Sequence, residues 1–325
     1  MRRREIIVLL GGAAGWPVAA RAQAPARPPL VGFLSAVSKE RNARMTDAFA
    51  QGLRELGFVE GRDLEVASRF AEGHLDRLPL LAQELVEVNP SVILAAVTPA
   101  VVALKKWTDT VPIVCPLLGD PIRLGLIASM ARPGGNVTGV SFRTEGLVGK
   151  QLELALQLIP TATEIGFLVN VASSVVLDRD EIKSVAEKVG VKLVVAEVRV
   201  PDDLKAAFDA LTRAGVQAVV VQVDGLFYNE RQQIAELAAR ARLPTVYGFR
   251  DHVDAGGLIS YGVNLAACFH RSATYVVNIL KGAKPGELPV EFPTKLELVI
   301  NSSAAKSLGL TLPPTLMAVA DEVIE

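Results

Sequence analysis

Short, continuous runs of apolar residues alternate with amphipathic helices along most of this 325-residue chain. Residues 30–34 form one such run, and the helix predicted over residues 41–56 puts Met45, Phe49 and Leu53 on one face. A strand that is apolar on both faces is typical of a parallel sheet covered by helices on each side. The sequence therefore predicts an α/β protein with parallel sheets flanked by helices.

The segment from residue 111 to residue 142 marks a change in this alternation. A buried strand over residues 113–118 ends in Gly-Asp-Pro, where Asp120 can cap a following helix and proline fits its first turn. We expect a short helix there, then a Pro-Gly-Gly breaker and a second strand over residues 136–142. This second strand is predicted to cross from one lobe to another.

After that crossing the strand–helix alternation starts again, which predicts two Rossmann-like lobes. The helix expected over residues 265–280 returns to the first lobe in this scheme. The first lobe then comprises residues 28–142 plus about 262–290. The second comprises residues 143–261, with residues 291–325 as a candidate addition. Lobes of this length have ordinary domain size.

The first 22 residues have the pattern of a cleaved export signal. Three arginines stand at positions 2–4, an apolar stretch spans residues 6–20, and an Ala-Arg-Ala cleavage site precedes Gln23. The arginines fit either a twin-arginine signal, which exports a folded protein, or an ordinary Sec signal. No cysteine stands at the cleavage point for a lipid anchor, so we expect a soluble protein in a bacterial periplasm.

The charge of the mature chain excludes one class of partner. Removal of residues 1–22 takes away four arginines and one glutamate, so the net charge changes from −1 to −4. Binding to nucleic acid depends on clustered lysine and arginine, and this mildly acidic chain has no such cluster. We expect a monomer that binds a small molecule and no nucleic acid.

Polar residues at the carboxyl ends of the first-lobe strands are candidates for ligand binding, because ligands of open parallel sheets bind at that edge. Ser35 and Ser38 follow the first strand, where they either donate hydrogen bonds to a carboxylate or only shape a turn. Thr98 starts a helix whose N-terminus suits an anion, or it is an N-cap alone. Asp120 either neutralises a ligand ammonium or caps its own helix. Ser141 lies on the crossing strand.

Four further candidates end strands at the matching edge of the second lobe: Asn170, Asp224, Tyr247 and Tyr261. The two tyrosines either stack on a flat or apolar ligand or pack in the core or the hinge. Arg250, in a predicted loop, is assigned to a surface ion pair in preference to a ligand carboxylate.

Motifs of catalysis are missing from the sequence. It has no Gly-x-Ser-x-Gly, no P-loop and no Gly-x-Gly-x-x-Gly after the first strand. His74, His252 and His270 lack metal-ligand spacing, so we predict a protein that is not an enzyme and has no cofactor or metal. The enzyme alternative is a cofactor-independent racemase with Cys115 and Cys268 as acid and base. Because neither cysteine is predicted at a strand's carboxyl end, both are assigned to buried positions, and a disulfide between them is left open.

Several strings in the sequence are similar to one known family. They are the N-terminal MRRREIIVLLGGAAGWPVAARAQ, TPA at 98–100, GDP at 119–121, ARPGGNVTGVS at 131–141 and FPTKLELVIN at 292–301. Together they resemble the ABC-transporter substrate-binding proteins related to tryptophan and tyrosine uptake systems, over nearly the whole mature chain. The chain departs from the family at residues 224–227, where Asp-Gly-Leu-Phe stands in place of the frequent Asp-Pro-Phe-Phe.

The resemblance implies a type 1 periplasmic-binding-protein architecture, in which two lobes close on a small molecule about a hinge. The implied ligand is an amino acid or an aromatic or carboxylate metabolite, and the implied partner is an ABC permease in the inner membrane. The alternative is a periplasmic sensor subunit that presents its ligand to a membrane kinase.

Overall fold

The computed structural model describes residues 28–142, 146–173, 179–293 and 296–325. The predicted export signal lies outside these residues, as do the predicted starts of two helices at residues 145 and 174. Within the described residues, the strands form a five-stranded sheet and a seven-stranded sheet. This arrangement confirms the predicted α/β architecture of two lobes.

The first lobe is built on the five-stranded sheet. Its strands are β1 (Leu30–Ser35), β2 (Glu65–Phe70), β3 (Val92–Ala95), β4 (Ile113–Gly119) and β5 (Val137–Phe142). They lie in the order β2-β1-β3-β4-β5, and all neighbours are parallel. Its own helices are α1 (Lys39–Glu55), α2 (Leu78–Glu87) and α3 (Thr98–Lys105).

Both faces of this sheet are covered, which explains why β1, β3 and β4 are almost continuously apolar, whereas the edge strand β2 carries Glu65, Ser68 and Arg69. On one face Val31 and Phe33 join a hydrophobic cluster with Met45 of α1. On the other face Leu34 joins a cluster with Leu85 of α2. A strand between two such layers has no solvent-facing side on which polar residues would alternate.

The second lobe begins after the crossing from β5. Its strands up to the next crossing are β6 (Glu164–Asn170), β7 (Lys192–Val198), β8 (Ala218–Val221), β9 (Thr245–Tyr247) and β10 (Ile259–Val263). Helix α4 (Leu147–Leu158) precedes β6, and the helices between the strands are α5 (Arg179–Lys188), α6 (Asp203–Arg213), α7 (Gly225–Asn229), α8 (Arg231–Ala241) and α9 (Arg250–Asp254).

The chain then returns to the first lobe and leaves it again. Helix α10 (Leu265–Leu280) packs on α1, β4 and β5. The remaining elements are β11 (Leu296–Asn301), α11 (Ser302–Leu308), α12 (Pro314–Val319) and β12 (Glu322–Ile324). Both strands join the second sheet, whose order is β12-β11-β10-β9-β8-β6-β7.

The second sheet is not wholly parallel, because β11 is antiparallel to β10. Strand β10 leaves the second lobe toward α10, and β11 re-enters it beside β10. Two neighbouring strands that cross the same gap in opposite senses must run antiparallel. The other pairings in this sheet are parallel, as predicted.

The prediction of a short helix after Asp120 is wrong, because residues 121–125 do not form a helix. Residues 121–125 form hydrogen-bonded turns, in which the N–H groups of Leu124 and Leu126 donate to the carbonyls of Asp120 and Pro121. Gly125 follows with a φ of 67°, a left-handed conformation that ends helical geometry. The run between proline and glycine is therefore too short for a stable helix.

Other boundaries differ locally from the predictions. The helix predicted over residues 229–241 is α8, which begins two residues later, and the short helix α7 before it was not predicted. The predicted loop at Arg250 is the start of α9. The last short elements, α12 and β12, were not anticipated from the sequence. Among the described residues, no helix combines the length and apolar character needed to cross a membrane.

One glycine of the ARPGGNVTGVS string provides a test of the packing. Gly139 lies in β5 with a φ of 140°, and an added Cβ would stand 2.0 Å from the carbonyl oxygen of Cys115 in β4. We expect Gly139→Ala to lower the free energy of unfolding by about 3 kcal/mol or more, because both backbone strain and a backbone clash oppose it. Urea unfolding followed by circular dichroism measures the loss.

Gly135→Ala is the matched control, because a Cβ at Gly135 meets no atom within 4 Å. We expect it to change the free energy of unfolding by no more than about 0.5 kcal/mol. Equal losses for the two variants would contradict the close approach of β5 to β4.

Candidate functional site

A cavity of about 450 Å³ lies between the two lobes. Its wall contains residues that end or follow β1 and β3 in the first sheet and β6, β7 and β8 in the second. The carboxyl edge of an open parallel sheet is where ligands bind, and here two such edges face each other. This cavity is the candidate binding site.

Part of the cavity wall is strongly apolar. Met45, Leu117, Phe142, Phe249 and Phe269 line it and pack in one hydrophobic cluster that also includes residues of α10. Aromatic and aliphatic walls of this kind favour an apolar portion of a ligand, because binding removes that surface from water.

Ser35 brings a hydrogen-bond donor to the wall. Its hydroxyl oxygen accepts hydrogen bonds from Asn42 Nδ2 at 2.6 Å and from the N–H of Val37 at 3.2 Å. With two donors on the oxygen, the remaining capacity of this group is to donate its own proton. The residue is 1% exposed, so Asn42 holds a buried hydroxyl in place at the cavity wall.

Thr98 is placed differently from Ser35. Its hydroxyl accepts a hydrogen bond from the N–H of Gly119 at 2.8 Å and donates to the carbonyl of Leu117 at 3.4 Å, which ties α3 to the end of β4. The hydroxyl is thus already used. The backbone N–H of Thr98 is in the first turn of α3, where donors have no partner within the helix.

Asp224 is the best-placed carboxylate in the cavity wall. Its Oδ1 accepts hydrogen bonds from the N–H of Leu226 at 2.8 Å and from Asn170 Nδ2 at 2.7 Å. Asn170 is itself fixed, because its Oδ1 accepts from the N–H of Ala172 at 2.9 Å. This network orients the carboxylate and leaves Oδ2 without a hydrogen bond from the described residues.

Three first-lobe candidates do not line the cavity. Ser38 is the N-cap of α1 and accepts a hydrogen bond from the N–H of Arg41. Asp120 is paired with Arg123 on the protein surface. Ser141 is buried, and its hydroxyl donates to the carbonyl of Leu118 at 2.7 Å. Each of these polar groups has a structural partner, and none of the three is among the residues that line this cavity.

The two tyrosines of the second lobe are also outside the cavity wall. Tyr247 is fully buried and stacks on His252 with ring centroids 4.7 Å apart. Tyr261 packs at the edge of a hydrophobic cluster, and its carbonyl accepts a hydrogen bond from Gln151. Arg250 forms a bidentate ion pair with Glu322, which is the surface role that we expected for it.

Sequence reasoning missed two asparagines of the cavity wall, Asn42 and Asn229. Asn42 lies three residues before Met45 on the buried face of α1. A polar residue on the apolar face of a helix is a signal that could have been used. Asn229 carries no comparable signal, because the sequence does not reveal that it ends the short helix α7.

The two cysteines do not form a catalytic pair at the cavity. Both are buried free thiols, and neither lines the cavity wall. Burial raises the pKa of Cys115 and of Cys268 to about 12, so both remain protonated at neutral pH. No group of metal-binding side chains occurs in the described part of the chain.

Charged contacts join the lobes beside the cavity. Arg41 of α1 donates from Nη1 to the carbonyl of Asn229 at 2.8 Å. One helical turn further on, Arg44 pairs with Asp251 at 3.3 Å and with Asp254 at 3.5 Å. Helix α1 of the first lobe therefore contacts both α7 and α9 of the second.

Burial, and not the ion pair, dominates the ionisation of Asp251. Desolvation raises the pKa of its carboxyl group although Arg44 and Arg231 act to lower it. Its Oδ2 is buried and has no partner among the described residues. A carboxyl group with a raised pKa in the folded protein stabilises the fold below its ordinary pKa of about 4, and this contribution is lost as the pH rises through the folded value.

We therefore expect Asp251→Asn to be at least as stable as the wild type at pH 7, because the neutral amide avoids burial of a charge. On acidification from pH 7, Asp251→Asn should also lack the stabilisation that protonation of Asp251 gives to the wild type. Asp254→Asn is the control, because this second partner of Arg44 has a side chain that is 42% exposed. Melting curves between pH 4 and pH 7 test this, and a clear loss of stability in Asp251→Asn alone would contradict it.

Two lobes of mostly parallel sheet, with a partly apolar cavity between their carboxyl edges, define a bilobal ligand-binding protein.

Comparison with known proteins leads to the same class of protein. A tyrosine-binding protein from Clostridioides difficile strain R20291 is 24% identical over 263 residues, which are 81% of this chain and 75% of that protein. An ABC domain from Streptococcus pneumonia, crystallised in complex with L-Trp, matches with a TM-score of 0.84 and 26% identity over 91% of this chain and 100% of that chain.

A conserved domain protein from Vibrio cholerae O1 biovar El Tor matches with a TM-score of 0.85 and 28% identity, over 91% of this chain and 100% of that chain. The family model of ABC transporter substrate binding proteins matches residues 31–324. The chain belongs to this family. Its members are binding proteins, which agrees with the prediction that the chain is not an enzyme.

Proposed function

We propose that this protein is the substrate-binding component of an ABC uptake transporter and that it captures an amino acid in the cavity between its lobes. The observation that carries this proposal is the placement of complementary groups on opposite walls. Hydrogen-bond donors at Ser35 and Thr98 belong to the first lobe, and the carboxylate of Asp224 belongs to the second. The carboxylate and the ammonium of one amino acid match these two walls.

The carboxylate of the ligand would bind at the first lobe. Ser35 offers an oriented hydroxyl proton, and Thr98 offers its backbone N–H in the first turn of α3, where it has no partner within the helix. Helix α3 also directs the positive end of its dipole to this position. Hydrogen bonds from such donors to a carboxylate are charge-assisted, and they are stronger than bonds between neutral groups.

The ammonium would bind at Asp224. The cavity wall contains more carboxylates than cations, since Asp76, Asp224 and Glu230 stand against Arg199. Among these carboxylates, Asp224 is held by two hydrogen bonds on one oxygen and presents the other. A pre-oriented charge binds its partner with little further loss of side-chain entropy.

The side chain of the amino acid would occupy the apolar part of the cavity, between Met45, Phe142 and Phe269. The relatives support an aromatic side chain, because one is a tyrosine-binding protein and another was crystallised with L-Trp. The contacts that Arg41 and Arg44 make with α7 and α9 in this structure would hold the lobes together over the ligand and shield it from water.

Binding is tested first on the mature protein. We expect L-tyrosine or L-tryptophan at 100 times its dissociation constant to stabilise the protein by about 2.7 kcal/mol in a thermal-shift assay. Calorimetry should then give the affinity. No shift with any of the twenty amino acids would contradict this assignment.

Replacement of Asp224 separates ligand binding from stability. We expect Asp224→Asn to lower the affinity for the amino acid by at least about tenfold, because the ammonium loses its charge partner. The melting temperature should change little, since asparagine is as good an N-cap for α7 as aspartate.

Asp120→Asn is the matched control, because Asp120 follows a strand of the first sheet as Asp224 follows a strand of the second, but it pairs with Arg123 outside the cavity. It should leave the affinity unchanged. Equal affinities for wild type, Asp224→Asn and Asp120→Asn would place the ammonium elsewhere.

We also propose that the protein is exported to the periplasm, works there as a monomer, and delivers its ligand to an ABC permease in the inner membrane. The export signal predicted over residues 1–22 supports this location. We expect mass spectrometry of the periplasmic fraction to find a chain that begins near Gln23. A cell-associated chain that retains residues 1–22 would contradict export.

A further inference from the structure

The hydroxyl proton of Ser35 has no acceptor in the described part of the chain. The oxygen of this hydroxyl accepts hydrogen bonds from Asn42 Nδ2 at 2.6 Å and from the N–H of Val37 at 3.2 Å, and these two donors occupy its lone pairs. The hydroxyl donates to none of the described residues. Ser35 is 1% exposed and lines the cavity. Because native proteins leave few buried polar groups unpaired, we expect the acceptor for this proton to be a group of the ligand.

The side-chain amide of Asn42 can take only one of its two orientations. Its Nδ2 donates to Ser35 and also, at 3.2 Å, to the carbonyl of Ser38, which is the N-cap residue of α1. The reversed amide would place Oδ1 against this carbonyl, and two acceptors form no hydrogen bond with each other. The start of α1 therefore fixes which end of the amide faces Ser35.

The orientation of the amide in turn decides the polarity of the hydroxyl. Because the amide nitrogen can only donate, Ser35 must accept from it, and the N–H of Val37 takes the second acceptor position. The hydrogen bond that remains to the hydroxyl is the one that it donates. Without the amide of Asn42, one lone pair would be free, and rotation of the hydroxyl would let it act as a donor or as an acceptor.

We propose, on the basis of the amino-acid function above, that Asn42 is a positioning residue that keeps the Ser35 hydroxyl a donor and so makes the first lobe select a carboxylate over a carboxamide. A carboxylate offers acceptor oxygens to Ser35 and to the backbone N–H of Thr98 together. A carboxamide must turn its N–H₂ group toward one of these two donors. The donor at Ser35 is also oriented before the ligand arrives, which limits the entropy that is lost on binding.

Calorimetry with two ligand pairs measures this selection. L-Tryptophan and L-tryptophanamide differ only at the carboxyl group, as do L-tyrosine and L-tyrosinamide. We expect the wild type to bind the acid of at least one pair about tenfold or more tighter than its amide, because the amide leaves a donor of the site unpaired. In Asn42→Leu, which has a similar shape and no amide, this preference should fall by at least about fivefold.

A double-mutant cycle tests whether Asn42 acts through Ser35. Ser35→Ala removes the hydroxyl and should itself lower the affinity for the acid. If Asn42 acts by positioning this hydroxyl, Asn42→Leu in the Ser35→Ala background should change the affinity for the acid by no more than about twofold. A purely structural role of Asn42 would instead produce the same loss in both backgrounds.

Two further variants control for general damage. Asn42→Ala removes the amide without adding volume, and it replaces Asn42→Leu in the cycle if the leucine variant does not fold. Asn278→Leu makes the same exchange at an exposed position on α10 and should leave the affinities unchanged. Melting temperatures show whether each variant is folded.

The outcomes separate this inference from the function on which it rests. Additive losses in the double-mutant cycle would overturn the role of Asn42, as would an unchanged preference in Asn42→Leu, an equal loss for acid and amide, or the absence of any preference in the wild type. Failure of all four ligands to bind the wild type would instead overturn the assignment of an aromatic amino acid, and the role of Asn42 with it.

Discussion

The parallel direction of the strands is the constraint on which this structure depends. Because neighbouring strands run the same way, their carboxyl ends meet at one edge, together with the starts of the helices that follow. Each sheet therefore gathers capping side chains and unpaired helix N–H groups along a single line. Two such edges placed face to face make a cleft in which polar groups surround an apolar pocket.

The sequence predicted most of this framework because it depends on local patterns. Continuous apolar runs gave the strands, and α10 was predicted with the bounds that the structure has. Positions at the ends of predicted strands also identified four candidate residues that are in the cavity wall: Ser35, Thr98, Asn170 and Asp224. Their positions follow from topology alone, without knowledge of side-chain direction.

The other predicted site residues lie outside the cavity wall, because side-chain direction and competing partners are properties of the packed protein. Tyr247 ends a strand, but its ring lies in the core against His252. Asp120 has a φ of 46°, and its carboxylate is taken by Arg123 three residues later. Asn229 enters the cleft only because α7 ends after five residues, a boundary that no capping signal in the sequence marks.

The antiparallel pairing of β10 and β11 has a mechanical consequence. The ladder runs from Ile259 opposite Ile300 to Val263 opposite Leu296, so the two connecting segments are cross-linked by backbone hydrogen bonds up to the edge of the second lobe. A ladder resists shear between its strands, so β10 and β11 are coupled and would move together with the second sheet when the lobes shift.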